Sequence, residues 1–161
     1  MRYLSRIISM SVAVALLLGS CAAAPTPKTQ VAQPEIAPQI VKEDIVGHWE
    51  GDWGSMYLKV VGGNLRGVYT HDDGRVTGTF ANGVFKGWWS EVPSREAPDD
   101  AGAVEFTLSR RDGALSLDGR WKYGNDAAEE WYDDWDLGWD SDSIPAEIDP
   151  LFAIDADFAE P

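Results

Sequence analysis

Residues 65–89, LRGVYTHDDGRVTGTFANGVFKGWW, constrain the fold more than any other stretch of the chain. Two dipeptides, Asp73-Gly74 and Asn82-Gly83, divide it into three short runs. Each run sets a glycine two residues before an aromatic: Gly67 and Tyr69, Gly78 and Phe80, Gly87 and Trp89. Residues i and i+2 share one face of a strand, so each glycine leaves room beside its own aromatic for a large ring from a neighbouring strand. Asp-Gly and Asn-Gly mark hairpins, because both central residues of a type I′ turn need positive φ. The stretch therefore predicts three antiparallel strands joined by two tight turns.

The same grammar continues on both sides. Gly47-His48-Trp49, Gly51-Asp52-Trp53 and Gly119-Arg120-Trp121 repeat the glycine–aromatic unit. Met56, Leu58 and Val60 alternate with Tyr57, Lys59 and Val61 before a turn at Gly62-Gly63-Asn64. After Trp89 the alternation is lost over residues 91–102, which read as one long loop. It resumes with Val104, Phe106 and Leu108, turns at Asp112-Gly113, and continues through Leu115, Leu117, Gly119 and Trp121. Trp135, Leu137 and Trp139 read as a final strand closing the sheet; Gly138 and the surrounding β pattern argue against a helix there. The expected fold is all-β: an antiparallel meander of about seven to eight short strands, forming a small filled barrel or a strongly coiled sheet. It spans residues 43–140.

The N-terminus reads as a targeting segment. Arg2 and Arg6 precede an apolar run from Ile7 to Leu18, too short to cross a bilayer as a helix, which needs about 20 apolar residues. Leu18-Gly19-Ser20-Cys21 follows directly, and Cys21 is the only cysteine. This tetrapeptide resembles the lipobox of bacterial lipoproteins, which implies cleavage after residue 20 and acyl chains on Cys21. In that class an aspartate after the cysteine retains the protein at the inner membrane. Ala22 stands here instead, which implies the periplasmic face of the outer membrane. With Cys21 acylated, no thiol remains for a disulfide or a catalytic nucleophile.

Residues 21–42 carry prolines at 25, 27, 34 and 38 and form a tether. The far end of the chain is acidic: residues 125–161 hold thirteen carboxylates and no lysine or arginine. Residues 141–161 are expected to be partly disordered, or to form a short helix started by Asp149-Pro150 with Leu151, Phe152 and Phe158 on it. Formal charge is −14 for the whole chain, and loss of residues 1–20 removes two arginines more. So acidic a chain, with no basic stripe, excludes nucleic acid as a partner and leaves the acyl chains as the hold on the membrane.

No catalytic motif is present: there is no Gly-x-Ser-x-Gly elbow, phosphate-cradling loop or His-Glu-x-x-His helix. The acids around Trp135 do not fit an EF-hand. Counted from Asp134, Gly138 falls one place early and Pro145 occupies the last ligand position. His48 and His71 are the only histidines, too few for a zinc site without carboxylates. No metal or cofactor is therefore expected. Of the eight tryptophans, Trp49, Trp89 and Trp121 are assigned to the core. Trp53, Trp88, Trp131, Trp135 and Trp139 are the candidate contact residues, able to stack on sugar rings or grip a protein partner.

The glycine–aromatic alternation on paired strands is similar to MORN repeats, and Gly47-His48-Trp49 before a meander resembles the Gly-x-Trp entry of lipocalins. The latter likeness implies a cavity for an apolar ligand. The expected role is a lipid-anchored, non-catalytic binding or structural module of the cell envelope, with an envelope protein or polysaccharide as partner. Two rivals are a carrier of a small apolar ligand, with a cavity lined by Tyr69, Phe80 and Trp121, and an envelope polysaccharide hydrolase. The hydrolase needs two carboxylates converging in a cleft about 5–9.5 Å apart.

Overall fold

The computed structural model describes residues 40–158. The expected signal peptide, the lipobox-like residues with Cys21 and nearly all of the expected tether lie outside the described residues. Among the described residues no helix is long and apolar enough to cross a membrane.

Eight antiparallel strands close into an up-and-down barrel in which each strand pairs with the next and the last pairs with the first. They are β1 (Gly47–Gly51), β2 (Gly54–Val61), β3 (Asn64–Tyr69), β4 (Gly74–Ala81), β5 (Val84–Ser90), β6 (Ala101–Arg111), β7 (Ala114–Trp121) and β8 (Tyr132–Ser141). The final strand expected from Trp135, Leu137 and Trp139 is β8, and its pairing with β1 removes the two free sheet edges. The barrel interior is filled by Trp49, Met56, Leu58, Leu65, Tyr69, Val76, Phe85, Trp89, Val104, Phe106, Leu108, Leu117, Trp121, Trp135 and Leu137.

Of the six glycine–aromatic units, those of Gly119 and Gly47 give their glycine's space to a ring of a neighbouring strand, as the spacing implies. Phe106 pairs across the ladder with Gly119, and a Cβ at Gly119 would lie 2.5 Å from its ring. At Gly74 the obstruction is the ring of Tyr69, and at Gly47 that of Trp139. Four units differ: the space at Gly67 is taken by the aliphatic side chains of Val76 and Leu58, and at Gly51, Gly78 and Gly87 the nearest obstruction is a backbone carbonyl of the partner strand.

The turns at Asn82-Gly83, Asp112-Gly113 and Gly62-Gly63 have positive φ at both central residues, as expected. Asp73-Gly74 does not. There the positive φ values fall one residue earlier, on Asp72 and Asp73, while Gly74 is extended and opens β4. Aspartate tolerates the left-handed region, and Gly74 is needed where Tyr69 crosses over it. The long loop is also shorter than expected, because β6 begins at Ala101.

One end of the barrel is plugged. A 3-10 turn at Lys42–Ile45 buries Ile45 completely, and the carbonyl of Ile45 accepts a 2.9 Å hydrogen bond from the Trp49 indole. Trp139 meets Trp49 edge to face at 5.1 Å beside this plug.

The acidic tail docks on the barrel. Two 3-10 turns, Asp149–Ala153 and Asp155–Phe158, bury Phe152 and Phe158 against Val68, Tyr57 and Val61 on the outer face. The charge complement comes from the barrel: Lys59 pairs with Asp149, Arg66 with Asp155, and Arg75 with Asp157. Arg66 also donates to the carbonyl of Phe152 and lies 4.7 Å from the centre of the Phe158 ring. The sequence left the tail open between partial disorder and a short helix started by Asp149-Pro150, because each basic residue that holds it lies more than eighty positions away.

Candidate functional site

In an up-and-down barrel every second connection emerges at the same end. Here the β1–β2, β3–β4, β5–β6 and β7–β8 connections surround the end opposite the Ile45 plug. They enclose a cavity of about 340 Å³, within the range usual for small-ligand sites. Its aromatic walls are Trp53, Trp89, Trp121, Tyr123 and Trp135, and its polar rim is His71, Asp72, Glu91, Asp99 and Asp100.

The aromatic walls are fixed by hydrogen bonds as well as packing. The Trp53 indole donates to the carbonyl of Asp134, that of Trp89 to the carbonyl of Lys122, and that of Trp121 to the carboxylate of Asp134. Tyr123 is held against Trp89 and Trp121 by backbone bonds that tie Lys122 and Gly124 to Ala101 and Ala103. Trp135 lines the cavity with only 3% of its surface exposed, and its indole nitrogen is buried without a hydrogen-bond partner.

The rim is built by two connections that hold each other. The amide of Val92 donates to the carbonyl of Asp72, and Arg95 donates to both the carbonyl and the carboxylate of Asp73. Arg75, almost wholly buried, binds the same Asp73 carboxylate. On this frame, one ligand atom each from His71, Asp72 and Glu91 comes within 4.8 Å of the others. The His71 ring meets Trp53 edge to face at 4.8 Å.

Glu91 accepts a 2.8 Å hydrogen bond from the Tyr69 hydroxyl. Burial pushes its carboxyl above the ordinary range. The Tyr69 bond and His71 oppose that shift, while Asp72 and Asp100 add to it. Burial beside Glu91 holds the Tyr69 hydroxyl well above its ordinary value, so it remains a proton donor.

Of the five tryptophans singled out for contact, Trp53 and Trp135 meet at this cavity, with ring centres 5.8 Å apart. The other three lie elsewhere. Trp88 is on the opposite face of β5 from Trp89, as expected, but it is buried, close to Asp157 and Phe158 of the tail. Trp131 lies on the β7–β8 connection under Arg120 and Lys122. Trp139 packs at the plugged end. Of the three residues named for a carrier cavity, Trp121 lines it and Tyr69 touches its rim through Glu91, whereas Phe80 does not line it. Sequence reasoning missed Trp89, Tyr123, His71, Asp72, Glu91, Asp99 and Asp100. Alternation of connections between the two ends of a meander was the signal that would have grouped them. No protein-family model, curated protein or solved structure matches the chain.

Proposed function

We propose that this chain is a lipid-anchored protein of the cell envelope, at the periplasmic face of the outer membrane, that binds a small molecule in the open end of its barrel. The observation that carries the binding role is the cavity of about 340 Å³, walled by four tryptophans and a tyrosine on a plugged, rigid barrel. Rings locked by packing and by indole hydrogen bonds lose little conformational freedom when a ligand arrives. The barrel acts as a binding module, with Cys21 acylation supplying the anchor. The acidic rim makes a purely apolar ligand a poor match.

A second reading rests on Asp72 and Glu91. A glycosidase places two carboxylates about 5–9.5 Å apart around a scissile bond, one with a raised pKa; here Glu91 carries the raised pKa, and one oxygen of Asp72 and one of Glu91 lie within 4.8 Å of each other, short of that span. A blind cup admits a chain end and not the middle of a polysaccharide, so the binding reading is preferred.

The test uses the full chain in maltoside micelles and follows tryptophan emission as low-molecular-weight envelope fractions are added. A saturable change that Trp53→Leu abolishes is the expected result. No change with any fraction would refute the binding role, and consumption of an oligosaccharide that Glu91→Gln prevents would favour the hydrolase. Anchoring is tested separately: Cys21→Ala is expected to move the protein from the membrane fraction to the soluble fraction.

A further inference from the structure

The chemistry around the cup narrows the ligand. We propose that it takes a small organic cation, an alkylammonium or guanidinium compound. This inference rests on the binding role just proposed for the same cavity.

Two independent features converge. The first is the geometry of the rings. Trp53 and Trp121 meet at 80°, Trp89 and Trp121 at 89°, Trp121 and Tyr123 at 77°, and Trp89 and Tyr123 at 67°, with centres 5.1–5.8 Å apart. Rings at near right angles form the corners of a box and not a stack. The face of an aromatic ring carries negative potential and attracts a cation, Trp most strongly.

The second feature is charge. Asp72, Glu91, Asp99 and Asp100 line the cavity, and among the described residues no lysine or arginine does. The neighbouring cations are engaged elsewhere: Arg95 with Asp73 and the carbonyl of Ser90, Arg75 with Asp73, and Lys122 with the carbonyl of Asp126. His71 is the one basic group on the rim, and it sits 3.5 Å from Asp72. The raised pKa of Glu91 is what such a rim produces while no cation is bound, since burial and the charges of Asp72 and Asp100 all oppose its ionisation. An incoming cation reverses that balance.

Trp135 lines the same cavity with only 3% of its surface exposed.

A divalent metal on His71, Asp72 and Glu91 is the competing occupant. It would leave the five rings, half of the lining, without a part in binding.

The experiment is a calorimetric titration of the full chain in maltoside micelles with choline and with methylguanidinium. 3,3-Dimethyl-1-butanol is titrated in parallel, as the neutral isostere of choline in which carbon replaces nitrogen. At least one cation is expected to bind ten times or more tightly than the neutral isostere. Glu91→Gln is expected to weaken that binding about five- to tenfold, while Glu50→Gln, which removes an equal charge from the outer wall, leaves it intact.

Equal binding of choline and its isostere would overturn the cationic assignment and leave the binding role standing. Failure of both cations, with a response to an envelope fraction, would likewise overturn only the cationic assignment. Failure of every probe and fraction would remove both. Tight binding of zinc or calcium chloride, abolished by His71→Ala and accompanied by no binding of either organic cation, would replace the proposal with a metal site.

Discussion

Replacing Gly119 with alanine tests the principle on which the barrel is built. The added Cβ would stand 2.2 Å from the carbonyl oxygen of Trp135 and 2.5 and 2.6 Å from two atoms of the Phe106 ring. Ordinary contact begins near 3.4 Å, so β8 or Phe106 must retreat by about an ångström. Neither has room. The carbonyl belongs to the partner strand of Gly119, and Phe106 is buried between Phe85 and Trp135. The cost is expected at the upper end of the overpacking range, about 3 kcal/mol. For a domain of this size that corresponds to a fall in Tm of about 10–20 °C.

Gly138→Ala is the matched control. Gly138 is exposed on β8, its φ is not positive, and the nearest atom to its added Cβ is the carbonyl oxygen of Glu50 at 3.9 Å. Loss of glycine's freedom in the unfolded chain is expected to stabilise this variant by about 0.5 kcal/mol. Guanidinium unfolding followed by tryptophan emission measures both variants, with equal m-values required for the comparison. If the two midpoints give stabilities within 1 kcal/mol of each other, the claim that glycines on the inner face make room for rings is wrong. Phe106→Leu added to Gly119→Ala relieves the ring contact and leaves the carbonyl contact, so recovery is expected to be partial.

Three further outcomes are expected. Folded Glu91 holds its proton more tightly than unfolded Glu91, so its contribution to stability falls as pH rises from the ordinary value of 4.5 through the raised folded value. Glu91→Gln should therefore be more stable than the parent at neutral pH and equal to it below pH 4.5, as read by denaturation at a series of pH values. Cation affinity of the parent should fall on acidification through that same raised value, and calorimetry across the interval measures it. Phe152→Ala, at a side chain only 2% exposed, is expected to cost about 3 kcal/mol and to open the tail to limited proteolysis, while cleavage within the barrel stays slow. Trp49→Phe removes the donor to the buried carbonyl of Ile45 and is expected to cost about 1–3 kcal/mol in thermal unfolding; an unchanged Tm would show that the plug does not depend on this bond.

The barrel was legible in the sequence because its determinants are local. Alternation of period two, the Asn82-Gly83, Asp112-Gly113 and Gly62-Gly63 turns, and glycine two residues before an aromatic are all read within a few positions. The same features set which residues face inward, since a strand offers only two faces and only one closes on the core. Where a local cue met a tertiary demand, the tertiary demand decided. Gly74 is extended beneath Tyr69, and the left-handed conformations passed to Asp72 and Asp73.

What the tertiary structure alone decided is the assembly of residues far apart in sequence. The cup joins Trp53, His71, Glu91, Asp100, Tyr123 and Trp135 from across the barrel, and the tail finds Lys59, Arg66 and Arg75 on strands formed long before it in the chain. Composition marked the tail as acidic, but its order depended on cations that the pairing of β2, β3 and β4 arrays on one outer face. Alternation fixes the side of the sheet on which a residue lies. Closure of β8 onto β1 fixes which residues meet across the cup, because the turns set the register only between strands that follow one another in the chain.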